Sequence, residues 1–151
     1  MNAVPASISQ EASPALQECL SAEHAAVFAY GMLGGVLSGT AAPSETTADA
    51  DASYAAHRKR RDDLSDRLNR LGEEPVSAEP SYRPPFRVAT EADCVRLARQ
   101  VEERTAAVYA YAVAGTTGDS RAFVIDALTD CALRAVAWGA PLQAFPGVTE
   151  A

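Results

Sequence analysis

Lysine is almost missing from this chain. Of thirteen basic residues only Lys59 is a lysine, and twenty acidic residues leave a net charge of −7. That balance excludes the broad basic face that nucleic acid or an anionic membrane needs. The one basic cluster, Arg58-Lys59-Arg60-Arg61, points in four directions around a helix, so it reads as a solvated or ion-paired surface. Aromatic residues are scarce at 7% and alanine is abundant, which favours close-packed helices. No segment alternates with a period of two, so no strand is expected. His24 and His57 are the only histidines, which leaves few general bases. The cysteines, Cys19, Cys94 and Cys131, are odd in number and widely spaced. They suit buried free thiols better than a disulfide framework or a zinc site. The start of the chain lacks the basic and apolar segments of a secretion signal. The apolar run over 15–37 is broken by Glu18, Glu23 and His24, so no membrane span is expected. There is no phosphate-binding glycine loop. A cytoplasmic protein with neither membrane nor nucleic-acid partner is the expectation.

What is present is helical periodicity. Residues 1–12 are polar and expected to be flexible, and Ser13-Pro14 offers a cap and a first-turn proline. A first helix over 13–38 carries the stripe Leu16, Leu20, Glu23, Val27, Tyr30, Gly34 and Leu37. A second over 47–71 carries Tyr54, His57, Arg61, Leu64, Leu68 and Leu71, and ends at Gly72 and Pro75. Residues 73–89 hold four prolines with Tyr82 and Phe86, an extended connection long enough to cross from one end of a bundle to the other. Thr90-Glu91-Ala92-Asp93 resembles a capping box and opens a third helix ending near Ala114. This helix has two adjoining stripes. One is Leu97, Val101, Arg104 and Val108; the other is Val95, Ala98, Glu102, Thr105, Tyr109 and Ala112. A fourth over 120–138 points Val124, Leu128, Cys131, Ala135 and Trp138 inward, stopped by Gly139 and Pro141. The expectation is an all-α antiparallel four-helix bundle over 13–140, with one long crossover between helices two and three and a tail over 141–151.

Polar residues interrupt these inner faces: Glu23, His57 with Arg61, Glu102 or Glu103, and Asp126 or Asp130 with Arg134. A buried carboxylate needs a metal, a cation or a water beside it. The register of the third helix is open. Ala25-Ala26-Val27-Phe28-Ala29-Tyr30 returns as Ala106-Ala107-Val108-Tyr109-Ala110-Tyr111. Aligning those phrases sets Arg104 opposite Glu23. Aligning the Glu-to-Tyr spacing of seven, Glu23 to Tyr30 and Glu102 to Tyr109, sets Glu102 there instead.

The segments Ala22-Glu23-His24-Ala25-Ala26-Val27-Phe28-Ala29-Tyr30-Gly31, His57-Arg58-Lys59-Arg60-Arg61-Asp62, Pro80-Ser81-Tyr82 and Leu128-Thr129-Asp130 resemble the ferritin-like superfamily, and more closely its small bacterial family DUF4439. The resemblance implies a ferritin-like bundle, a homodimer and no assigned activity. A complete di-iron set takes a Glu from each of two helices and Glu-x-x-His from the others. Here Tyr54-Ala55-Ala56-His57 has Tyr where Glu is needed, and Asp130-Cys131-Ala132-Leu133 has no His. Two readings follow. In the first, no cofactor is held. Glu23, Tyr54, His57, Arg61, Glu103 and Arg104 form a buried polar network, and the protein is a binding or assembly module, open to a small-molecule ligand. In the alternative, Glu23, His57, Glu102 and Asp130 hold iron or manganese for oxygen or peroxide chemistry, as a metal-dependent oxidoreductase. The glycines Gly31, Gly35 and Gly39, four apart, offer a face for dimerisation.

Overall fold

The computed structural model describes residues 6–148. Four helices form the bundle: α1 (Ala6–Ser38), α2 (Ser44–Arg70), α3 (Glu91–Ala114) and α4 (Gly118–Ala137). Among the described residues there is no strand. Helix α1 packs against both α2 and α3, and α3 packs against α4. By length and composition Ala12–Ser38 would suffice to cross a membrane. Its apolar residues instead meet these two neighbouring helices, with Leu16, Leu20, Leu33 and Leu37 buried between them.

Three helices begin earlier than the sequence pattern predicts: α1, α2 and, by two residues, α4. Residues 1–5 of the expected flexible start lie outside the described residues, but α1 already runs from Ala6. Pro14 therefore sits inside the helix, where it removes one backbone hydrogen bond. Burial of Ala12 and Ser13 holds the turn around it in place. Helix α2 starts at Ser44, directly after Pro43, and carries Glu45 in its first turn, where the helix dipole favours a negative charge. The capping box of α3 forms as read. Thr90 accepts from the Asp93 amide, and the Asp93 side chain accepts from the Thr90 amide.

Residues 73–89 run along α1 from Gln17 to Phe28. The side chain of Gln17 donates to the Glu74 carbonyl at 2.7 Å and accepts from the Val76 amide at 2.8 Å. His24 meets the Val76 carbonyl at 2.9 Å, and Phe28 packs on Tyr82 at 5.4 Å. Beyond that, Phe86 lies under the Arg96 guanidinium at 4.2 Å. The connection is thus a crossover, and it leaves α2 and α3 parallel. At the far end, Gly147 lies against the α3 backbone with φ 77. A Cβ there would come within 2.6 Å of the Ala106 carbonyl, so this close approach requires glycine.

The core has two apolar halves. One gathers Leu16, Leu20, Leu64, Leu68, Val124 and Cys131; the other gathers Leu33, Leu37, Ala50, Leu97, Ala98 and Trp138. All three cysteines are free and buried. A polar layer lies between the halves. Truncating Leu64, which is fully buried, is expected to cost about 2–5 kcal/mol of stability in the Leu64→Ala variant. Urea unfolding measures this, and an unchanged midpoint would refute its place in the core.

Candidate functional site

Five fully buried side chains meet in the polar layer: Glu23 and Tyr30 from α1, His57 from α2, and Glu102 and Tyr109 from α3. The two carboxylates and two tyrosines are exchanged between helices. Tyr109 Oη donates to Glu23 Oε1 at 2.6 Å, and Tyr30 Oη donates to Glu102 Oε1 at 2.7 Å. Each tyrosine lies seven residues after one glutamate and bonds the other, which requires α1 and α3 to run antiparallel. This settles the register left open by the sequence. Glu102, not Arg104, shares the layer with Glu23, and Tyr109 is the α3 side chain that bonds Glu23 directly. The repeated phrase misleads because its last residues differ in burial: Tyr30 is 2% exposed and Tyr111 is 82% exposed.

His57 sits between the carboxylates. Its Nδ1 is 2.6 Å from Glu23 Oε2, and its Nε2 is 3.1 Å from Glu102 Oε1. Its ring also stacks on Tyr30 at 5.2 Å. Burial pushes the imidazole pKa down, but the hydrogen bonds and charges of Glu102 and Glu23 outweigh it and hold the value above the ordinary one. Burial likewise pushes Glu23 up. The bond and charge of His57, then Arg60 and Tyr109, reverse that and hold its carboxyl below the ordinary range. The consistent state is an ionised Glu23 and a doubly protonated His57, with each ring N–H donating to one carboxylate.

Arg60 completes the layer. Its Nε donates to Glu23 Oε1 at 2.8 Å and its Nη1 to Asp130 Oδ2 at 2.5 Å. Its Nη2 lies 3.5 Å from Cys131 Sγ and 3.0 Å from His57 Nδ1, the latter an approach of two donors. Arg134 closes the outer edge, donating to Asp130 Oδ2 at 2.9 Å and to Ser53 Oγ at 3.1 Å. Three acidic side chains, Glu23, Glu102 and Asp130, thus share the layer and its edge with three basic ones, His57, Arg60 and Arg134.

The structure brings Glu23, His57 and Glu102 into direct contact and ties Asp130 to them through Arg60. The cation beside Glu23 is therefore Arg60, and neither Arg61 nor Arg104. Arg61 pairs with Asp62 on the outer side of α2, and Glu103 and Arg104 are exposed. Tyr54 is half-buried, with its ring against Gly31 and under Arg58. Asp126 is exposed. The inner stripe of α2 is Ser53, His57, Arg60, Leu64 and Leu68. Positions three and four after His57 both border that stripe, and the location of Glu23 and Asp130 selects the former. His24 holds the crossover and stays outside the layer.

The iron or manganese of the alternative reading does not fit these donors. Both ring nitrogens of His57 and both oxygens of Glu23 are engaged in hydrogen bonds, and a guanidinium cation lies among them. Among the described residues, no group of three or more His, Cys, Asp or Glu side chains is arranged to hold a metal. One buried atom of the layer, Glu102 Oε2, has no hydrogen-bond partner. It suits a bound water, which would donate to it.

A family model described as a domain of unknown function (DUF4439) matches residues 15–150. The crystal structure of a conserved hypothetical protein, rv2844, from Mycobacterium tuberculosis is similar, with 30% sequence identity and a TM-score of 0.77. The match covers 85% of this chain and 95% of that one. No curated protein matches the chain.

The opposite shifts of the two buried partners fix how stability depends on pH. Glu23 is lowered from 4.5, so its contribution is complete above that value and lost as pH falls through its folded pKa. His57 is raised from 6.5, so its contribution is complete below that value and lost as pH rises through its folded pKa. Unfolding free energy is therefore expected to be greatest between pH 4.5 and 6.5 and to fall on both sides. Urea titrations across pH 3–9 measure it. A steady rise through pH 8 would contradict a charged His57.

Proposed function

The chain belongs to the DUF4439 family, and on that footing we propose that it is a ferritin-like bundle in which a buried ion-paired network stands where di-iron bundles hold their metals. In this reading the protein acts as a binding or assembly module and does not work through metal redox chemistry. The single observation that carries it is the Arg60 guanidinium, bonded to Glu23 on one side and Asp130 on the other. A cation already occupies the position between carboxylates that a metal ion would neutralise, and it is tethered to the chain. The crossover that leaves α2 and α3 parallel supports the ferritin-like assignment, since such folds have one long connection of this kind.

The alternative, iron or manganese serving oxygen or peroxide chemistry, requires Arg60 to withdraw and His57 to give up a proton. Loading the purified protein with iron or manganese, followed by dialysis and elemental analysis, is expected to leave well under one ion per chain. Near-stoichiometric retention would overturn the proposal. Arg60→Ala is expected to lose about 3–5 kcal/mol of stability, because it leaves buried carboxylate charge uncompensated. Chemical denaturation measures the loss, and a neutral outcome would remove Arg60 from its role.

The expected homodimer belongs to the same proposal in modified form. Gly31 and Gly35 are both exposed; a side chain at Gly31 would touch Tyr54 of the same chain, whereas Gly35 faces open space. Light scattering at micromolar concentration is expected to give twice the monomer mass. A monomer, or a dimer that survives Gly35→Leu, would refute this face as the contact.

A further inference from the structure

Of the α3 stripe Leu97, Val101, Arg104 and Val108, only Leu97 is buried in the core. Val101 and Val108 are only half-buried, and Arg104 is exposed. They form one wall of a cavity of about 230 Å³. The floor is α1, where Ala22, Ala25 and Ala29 follow one another at spacings of three and four. Side chains this small leave a trough between α1 and α3. The crossover roofs it with Tyr82, Pro84 and Pro85, and Tyr82 is fixed by its contact with Phe28. An apolar cavity of about 150 Å³ already accommodates benzene, so there is room here for a ring or a chain of roughly eight carbons.

The polar groups of this cavity are as selective as its walls. Thr105 lines it, but its hydroxyl is committed to the Val101 carbonyl at 2.8 Å. The remaining charged groups are Arg83, from the crossover, and Arg104, from α3. Among the described residues neither forms an ion pair, as holds for most arginines of the chain; what sets these two apart is that both line the apolar trough. Two free guanidinium groups beside an apolar trough suit one ligand chemistry, a small amphipathic carboxylate. Its tail would lie on the alanines and valines and its head would take the arginines, which match carboxylate geometry.

We infer that the α1–α3–crossover cavity is a binding site for a small amphipathic carboxylate. The inference deepens the binding-module reading above by giving it a ligand class, and it does not depend on the state of the polar core. Met32 lines the cavity, and the chain has only two methionines. Protein labelled with ¹³C at the methionine methyls therefore gives an isolated reporter. Titration with octanoate is expected to shift the Met32 signal saturably, while octanamide shifts it at least tenfold more weakly in affinity. Arg83→Met with Arg104→Met should weaken octanoate by about tenfold or more and leave octanamide unchanged. Ala29→Leu, which fills the trough, should abolish the shift, with a thermal melt confirming the fold. A Met32 signal that stays put with octanoate, or equal affinity in the arginine variants, overturns the inference. Either result leaves the metal analysis of the core standing, and metal retention would overturn the core reading without touching this one.

Discussion

Two glutamates buried in the middle of a helical bundle are the constraint from which the rest follows. An ionised carboxylate out of water costs several kcal/mol unless it is fully compensated. Glu23 and Glu102 cannot compensate each other, so every surrounding element brings something to them. Helix α2 brings an imidazolium and a guanidinium, α1 and α3 each bring a phenol, and α4 brings Asp130 with Arg134 to balance the guanidinium from outside. The apolar halves on either side then pack as ordinary helix interfaces of leucine, alanine and valine. Such a layer adds little net stability compared with a hydrophobic one, but it dictates which residues must meet.

Much of the bundle is legible from the sequence because helix periodicity is a strong signal. The four helices, the capping box at Thr90, the buried free cysteines and the crossover all follow from spacing and composition. Helix starts were less legible. Pro14 marks a boundary in local chemistry, but tertiary burial of Ala12 and Ser13 carries the helix past it. The residues of the polar layer were legible by type and less so by position. Glu23, His57, Glu102 and Asp130 stand out as interruptions of apolar stripes. Arg60 does not, because it is hidden in a run of four basic residues and its neighbour Arg61 fits the stripe almost as well. A rotation of 100° per residue separates the two, and only the location of acids on other helices decides between them.

The repeated alanine-rich phrase is a case of sequence similarity without structural equivalence. The two copies are offset by 81 residues, whereas the exchanged Glu–Tyr pairs are offset by 79. Two residues on a helix is 200° of rotation, enough to turn a core tyrosine into the exposed Tyr111. The sparse, chemically committed pair carried the true register, and the longer but bland match did not. The two adjoining stripes on α3 hold a similar lesson. The face with Ala98, Glu102 and Tyr109 is core, while Val101, Arg104 and Val108 line a cavity under the crossover, and composition alone makes the two look alike.

The exchanged Glu–Tyr pairs also govern how the halves of the bundle can dock. Sliding α1 against α3 by one turn moves them about 5.4 Å. Glu23 would then face Thr105 or Val113, and Tyr30 would face Ala98 or Ala106. Both carboxylates would lose their phenols in the same movement, and His57 could no longer span them. Alanine-rich helices slide past one another with small differences in packing, so their apolar surfaces are poor judges of alignment. The polar layer makes that judgement for them. It works as a proofreading step in assembly, penalising every near-miss that the alanines alone would accept.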